Sequence, residues 1–318
     1  MNFSIRHAEE SDLCLVNITD ESTGTTVALL PGAGALLHAF RIRQRDGSLF
    51  NVIDNYRNND ELKADIGRSF KGPKLSPFPC RIPEGVYHIG EKSYRFGHLF
   101  SDGTAIHGLL YDRPFAIVEE TAGDNGGAVL MEYPYRKDDP GYPFQYDCQV
   151  RYTLRTAGEL EVVTTVTNLD ETVIPMADGW HPYFRLGGRV DDWQMQFYSS
   201  AIVDFDERLV PTGHLSPYGE FEKARLIGDT FLDNCFTLKP AIVSASCELF
   251  NPSNGLRVSF FPEASYLYLQ VYTPHSRESI AIENLSAAPD CFNNGLGLLW
   301  LQPGHSQIFT VLYKVSVD

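Results

Sequence analysis

The sequence predicts an all-β protein, a large sandwich of extended sheets, and three observations carry that expectation. Apolar and polar residues alternate with a period of two along several segments, as in strands with one face in a core. Sixteen Tyr and 20 Phe among 318 residues suit pleated, half-buried surfaces, and 26 Gly with 19 Pro suit irregular turns between strands. Only one stretch, Asp60 to Arg68, carries a helical pattern.

Each strand is read from its alternation. Gln145 to Leu154 forms one, and the Thr156-Ala-Gly-Glu turn leads into the next, Leu160 to Thr167. Ser259-Phe-Phe261 and Gln307 to Val315 repeat the pattern. Along Tyr266-Leu-Tyr-Leu-Gln-Val-Tyr272, Leu267, Leu269 and Val271 fall on one face, and the tyrosines with Gln270 on the other. In Ser279-Ile-Ala-Ile-Glu283, Ile280 and Ile282 share a face, which leaves Glu283 opposite them beside Ala281. A small neighbour there leaves room for a ligand. No low-complexity linker or internal repeat divides the chain, so one domain over residues 1–318 is expected. A chain of this length can bury its core without disulfides or metals.

Composition excludes several function classes. The net charge is −15, from 26 basic against 41 acidic residues, which argues against nucleic acid or an anionic membrane as partner. Six scattered cysteines form no C-x-x-C pair and have no histidine at metal-ligand spacing, so isolated buried thiols and no metal are expected. Pro31-Gly-Ala-Gly34 lacks the third glycine and the following helix of a nucleotide loop. No signal-peptide pattern opens the chain, and the most apolar run, Val27 to Phe40, is broken by Pro31, Gly32 and Gly34. The expectation is a cytoplasmic protein without cofactor.

Five segments place a reactive side chain where a strand should end. They are the proline-stiffened loop Gly72 to Tyr87 with Arg81, Ala105-Ile-His-Gly-Leu-Leu110 with His107, and Asp178-Gly-Trp-His-Pro-Tyr-Phe-Arg185 with His181. The others are Phe231-Leu-Asp-Asn-Cys-Phe236 with Asp233 and Ile280-Ala-Ile-Glu-Asn-Leu285 with Glu283. Singly, each has a plainer reading. Glu283 reads as a solvated strand-end carboxylate, His181 as a ring packed among aromatics, and His107 as a turn residue. Arg81 can pair with Glu84, and Asp233 can cap a turn with Asn234.

In order and context the five segments resemble the aldose 1-epimerase (galactose mutarotase-like) family over residues 70 to 305. Pro289-Asp-Cys-Phe-Asn293 and Gln302-Pro-Gly-His305 extend the resemblance. It implies stacked antiparallel sheets, the supersandwich of that family, with a sugar cleft on the concave face. By motif match Glu283 corresponds to the general base, His181 to the general acid and His107 to a second active-site histidine. Arg81 and Asp233 correspond to residues that hold sugar hydroxyls. Three places depart from the family pattern. His-Gly-Gly reads His107-Gly-Leu, Asn-His-Ser-Tyr-Phe reads Trp180-His-Pro-Tyr-Phe184, and Glu-Pro reads Glu283-Asn. These departures bear on which sugar is used rather than on the chemistry.

The implied reaction exchanges the α and β anomers of an aldose. Ring opening removes the O1 proton and donates one to the ring oxygen. A carboxylate and an imidazolium, with reference pKa values of about 4.3 and about 6.5, suit those tasks. The expected resting state is Glu283 ionised and His181 protonated. The expected partner is a small-molecule sugar, an aldohexose or hexose phosphate, bound by a monomer or homodimer. Alternatives are a hexose-6-phosphate 1-epimerase with a phosphate site from Lys71, Lys74, Arg81 and Arg113, helped by Arg185 and Arg189, or a glycoside hydrolase using Asp233 and Glu283. A non-catalytic sugar-binding module is a third. His275, in the hairpin before Glu283, reads as a loop histidine without a role.

Overall fold

The alternating segments become long strands, and the ladders between them are antiparallel. The computed structural model describes residues 1–239 and 244–318. A nine-stranded sheet carries Gly126–Arg136, Gln145–Arg155, Glu159–Asn168, Ser306–Val317 and Leu256–Pro262 side by side near its middle. An eight-stranded sheet runs in the order Pro211–Pro217, Ser199–Phe205, Asp233–Leu238, Tyr268–Tyr272, Ile280–Leu285, Gly179–Trp180 and Lys74–Leu75, with Tyr183–Phe184 also paired to Ile280–Leu285. A five-stranded meander extends from Phe3–Glu10 to Leu49–Asn51. One buried apolar cluster joins all three, drawing Val16 and Phe40 from the meander, Val150 and Val162 from the large sheet, and Leu269 and Ile282 from the other. The chain is an all-β fold of stacked antiparallel sheets, as expected.

The expected helix is Asn59–Ser69. Asn58 caps it by accepting a hydrogen bond from the Glu61 backbone N–H, and Leu62 and Ile66 turn inward. A second helix, Cys291–Asn294, was not expected. Three readings need correction. Tyr266 lies before its strand, not in it: Leu267 is exposed, while Tyr266 is buried with its hydroxyl donating to Asp178 at 2.7 Å. A partner for the hydroxyl lets the ring enter the core. Glu283 sits within its strand, which continues to Leu285, and not at its end. Cys14 is exposed, although the other five thiols are buried.

Where the eight-stranded sheet ends, at Gly179–Trp180 and Lys74–Leu75, lies a buried ion pair. Lys74, with no exposed side-chain surface, donates to the Asp178 carboxylate and, at 2.9 Å, to the Gly179 carbonyl, and its ammonium sits 4.2 Å from the centre of the Trp180 ring. Breaking such a pair on one side strands a buried charge, at a cost of about 3–5 kcal/mol. Lys74→Met should therefore lose stability of that order in urea unfolding, and Lys74→Met/Asp178→Asn should recover part of it. Additive losses in the double variant would show that the two side chains do not act as a pair.

Candidate active site

Strand register builds one wall of the site. Across four neighbouring strands, Asp233 lies opposite Tyr272, Gln270 opposite Glu283, and Ala281 opposite both Tyr272 and Tyr183. Directly opposed residues project to the same face of a sheet, and so do residues two apart along one strand. Asp233, Gln270, Tyr272, Glu283 and Tyr183 therefore share a face. Gln270 Nε2 donates to Asp233 Oδ1 at 2.8 Å. The small Ala281 makes room for the two tyrosines that flank it.

The opposite wall comes from loops and the end of the helix. A short ladder sets Arg81 against Ile106, and His107 follows at once in the left-handed region at φ 58°. The next residue must be glycine: Gly108 has φ +77°, and a Cβ there would stand 2.3 Å from the Ser76 carbonyl oxygen. His107 donates its backbone N–H to the Cys80 carbonyl at 2.9 Å and accepts the Cys80 N–H on Nδ1 at 3.2 Å. Phe70 closes the helix in the left-handed region and lays its ring 4.6 Å from that of His107 and 6.4 Å from that of His181. The His181 carbonyl accepts from Gly72 N–H at 2.9 Å, which ties the two walls together.

Between the walls is a cavity of about 170 Å³ that takes in Arg81, His107, His181, Asp233 and Glu283. All five sequence-predicted residues thus converge. Glu283 is 1% exposed and His181 5%, with His181 Nε2 and Glu283 Oε1 3.3 Å apart. The His107 and His181 ring centres are 4.9 Å apart, nearly perpendicular. Arg81 does not reach Glu84; its Nε lies 3.7 Å from Asp102. Asp233 opens a strand and accepts from Gln270, so it is more than a turn cap.

Burial opposes both charges expected at rest. It pushes the Glu283 carboxyl well above its usual range, helped by Asp233 and opposed by Arg81. It pushes His181 down to about 3. A neutral carboxyl beside a neutral imidazole has the same net charge as carboxylate beside imidazolium, because one proton serves both. Both shifts favour the neutral forms, with the proton on Glu283, whereas the sequence-based expectation placed it on His181. Burial, His181 and Arg81 also push His107 well below the usual imidazole range. With Nδ1 accepting from Cys80, the His107 proton must sit on Nε2. Nitrogen NMR should show His107 as the neutral Nε2–H tautomer with no titration between about pH 5 and pH 8, where a free imidazole titrates. An ordinary midpoint near neutrality would refute this assignment.

Sequence reasoning missed Phe70, which the end of the helix delivers, and Gln270, which it had already placed on the correct face. Cys80, His107 and Glu283 bring potential ligand atoms within 4.8 Å of one another and could offer themselves to a soft divalent ion. Of the basic residues suggested for phosphate only Arg81 lines the cavity, and the others are engaged elsewhere: Lys74 with Asp178, Lys71 with Asp54, Arg113 with Asp112, Arg189 with Asp191, and Arg185 over the Phe50 ring. Arg68, to which the sequence reading gave no functional part, also lines the cavity and has no acidic partner among the described residues.

Known proteins share both sequence and architecture with this chain. The family model described as aldose 1-epimerase matches residues 16–314. Uncharacterized protein YihR of Escherichia coli (strain K12) is 30% identical over 249 residues, covering 76% of this chain and 78% of that one. Galactose mutarotase of Sus scrofa is 24% identical over 189 residues, 58% of this chain and 53% of that one, so the match spans about half of the mutarotase. The solved structure of a galactose mutarotase-like protein from Clostridium acetobutylicum shares the fold, with a TM-score of 0.87 at 17% identity over 100% of this chain and 99% of that one. With nearly the whole sequence matched, the chain belongs to the aldose 1-epimerase family.

Proposed function

We propose that the chain is a mutarotase that interconverts the α and β anomers of an aldose in this cavity, with Glu283 and His181 moving the protons. The buried contact between His181 Nε2 and Glu283 Oε1, 3.3 Å long, is the observation that supports this reading most directly. Proton transfer along it converts the neutral pair into carboxylate and imidazolium without changing the charge of the cavity. Sugar hydroxyls and the Arg81 guanidinium then favour the carboxylate. Glu283 takes the O1 proton as His181 protonates the ring oxygen, and the ring opens. Rotation about C1–C2 and the reverse transfers close the other anomer and restore the pair. Arg81, Asp233 with Gln270, and the His107 Nε2–H hold the sugar. Polarimetry should show faster relaxation of freshly dissolved α-glucose or α-galactose; buffer rates for these, other aldoses and hexose phosphates alike would end the proposal.

Arg68 at the cavity edge favours a second reading, a hexose carrying an anionic group such as a 6-phosphate. Running the 6-phosphates beside the free sugars separates the two: Arg68→Ala should raise KM for the phosphorylated sugar alone.

Glu283→Gln and His181→Asn should each lower kcat by about 10²–10⁴-fold, the range for a positioned acid or base. The double variant should lose less than the product of the single losses. Near-normal turnover in a folded single variant would remove that residue from the mechanism.

The pH dependence follows from the two shifts. Because the His181 pKa is lowered to about 3, the pair gains a second proton only near that pH. Because the Glu283 pKa is raised, the pair loses its only proton well above the usual carboxylate range. kcat/KM should therefore be bell-shaped, with its acid limb set by His181 and its alkaline limb by Glu283. Glu283→Gln should flatten the alkaline limb of the residual activity. Loss of the acid limb instead would mean that Glu283 rests ionised.

A further inference from the structure

The backbone of Arg81 is clamped. It pairs with Ile106 in the short ladder, and its carbonyl accepts the Asp290 N–H at 2.9 Å. The side chain is free by comparison. Among the described residues it makes no hydrogen bond, and its ion-pair contact, Nε to Asp102 Oδ2 at 3.7 Å, is too long to be one. A guanidinium keeps its charge at any working pH. Burial dominates the acidities of His107, His181, Asp233 and Glu283, and Arg81 is the cation that adjusts all four. One carboxylate outside the cavity therefore competes with two carboxyls inside it for the same guanidinium.

Asp102 does not line the cavity, yet its carboxylate is held in place. Oδ1 accepts the Thr104 N–H at 3.0 Å and the Thr104 hydroxyl at 2.7 Å, which leaves Oδ2 to face Arg81. The Phe100 N–H donates to the Thr104 carbonyl and the Gly103 N–H to the Phe100 carbonyl, each at 2.9 Å, and these bonds close the turn. Phe100 meets Phe70 edge-on at 5.6 Å, and Phe70 lies against His107, so the turn is packed onto the cavity wall. Burial works against ionisation of Asp102, but the Thr104 bonds and Arg81 outweigh it and hold the carboxyl below its usual range.

We infer that Asp102 is a positioning residue, which holds the Arg81 guanidinium at the edge of the cavity, open to a sugar hydroxyl and kept off Asp233 and Glu283. Its effect on sugar affinity rests on the mutarotase reading, whereas the placement of Arg81 does not. Besides Arg81, the titratable groups around Glu283 are Cys80, His107, His181, Tyr183, Asp233 and Cys235, and Arg68 lines the same cavity. Of all these, Arg81 is the one in contact with Asp102.

Asp102→Asn keeps an oxygen for both Thr104 bonds and removes the charge, at a side chain 51% exposed, where folding tolerates the change. Arg81 should then move inward and compete with the sugar. KM for galactose or glucose should rise by about 2- to 5-fold, the worth of a half-exposed ion pair, with kcat changed by less than about twofold. The alkaline limb of kcat/KM should move down by about 0.3–0.7 pH unit, the same factor expressed as an acidity. Asp102→Glu, which keeps the charge, should restore both. In the Arg81→Ala protein, adding Asp102→Asn should change neither, because the partner is gone. Equal effects with and without Arg81 would show that Asp102 does not act through it and would overturn the inference. An unchanged KM and limb in Asp102→Asn would do the same. Carbon NMR of the Glu283 carboxyl reads its midpoint without turnover. If the wild-type protein exchanges no anomers, the mutarotase reading fails, and the presence or absence of the same downward shift in Asp102→Asn still decides the placement of Arg81.

Discussion

Burial of the Glu283 carboxyl is the constraint around which the site is organised. An isolated carboxylate taken out of water costs so much free energy that the group neutralises instead. Among the described residues the only cationic side chain within ion-pair distance of Glu283 is His181, itself buried, and Arg81 is drawn toward Asp102. Two groups that each resist their charged form lie 3.3 Å apart, and both shifts favour the state in which each is neutral. That state is uncharged at rest and becomes an acid and a base when the proton moves. In the proposed mechanism the proton moves without adding net charge to the cavity, and the sugar and Arg81 bring the carboxylate form within reach.

Holding the pair at hydrogen-bonding distance requires a rigid frame, and the frame is mostly backbone. Glu283 is fixed by strands paired on both sides, and Gln270 opposite it is committed to Asp233. His181 follows a two-residue strand, too short to hold itself. Its support comes from the Gly72 N–H on its carbonyl and from the Lys74–Asp178 pair. Lys74 and Trp180 are register partners, so the ion pair also locks the loop that leads to Arg81. A buried ion pair is weak evidence for net stability. Here it joins two segments far apart in sequence, each of which delivers a site residue.

Much of this was legible in the sequence. Period-two patterns located the long strands because one face of each enters a core, and that leaves a mark in every second residue. His107, His181, Asp233, Glu283 and Arg81 were legible through the order of their motifs. Phe70 was not, because its role depends on where a helix ends in space, and nothing near it in the sequence records the histidines it touches. Tyr266 was misplaced because its partner Asp178 is 88 residues away. The shifts of the pair were not legible for a related reason: the ordinary acidities of a carboxyl and an imidazole belong to groups in water, and the depth of burial is a property of the fold.

The departures from the family pattern bear on specificity differently from what their position in the motifs suggests. Leu109, Trp180, Pro182 and Asn284 all neighbour site residues in sequence, yet none of them lines the cavity. Trp180 packs on Lys74 and Tyr152, and Leu109 packs against the main core. Asn284 pairs with Leu269 across the ladder, on the opposite face from Glu283. A strand residue next to a site residue faces away from it, so sequence changes there repack the interior and leave the reacting groups undisturbed. In the proposed mutarotase, discrimination between sugars then falls to side chains that do reach the cavity and that lie outside the quoted motifs, Arg68, Phe70 and Gln270 foremost. Two of these come from the end of one helix, Asn59–Ser69 and the residue after it. A helix terminus can shift or change its residues without altering strand register, which lets substrate preference vary while the proton-sharing pair stays in place.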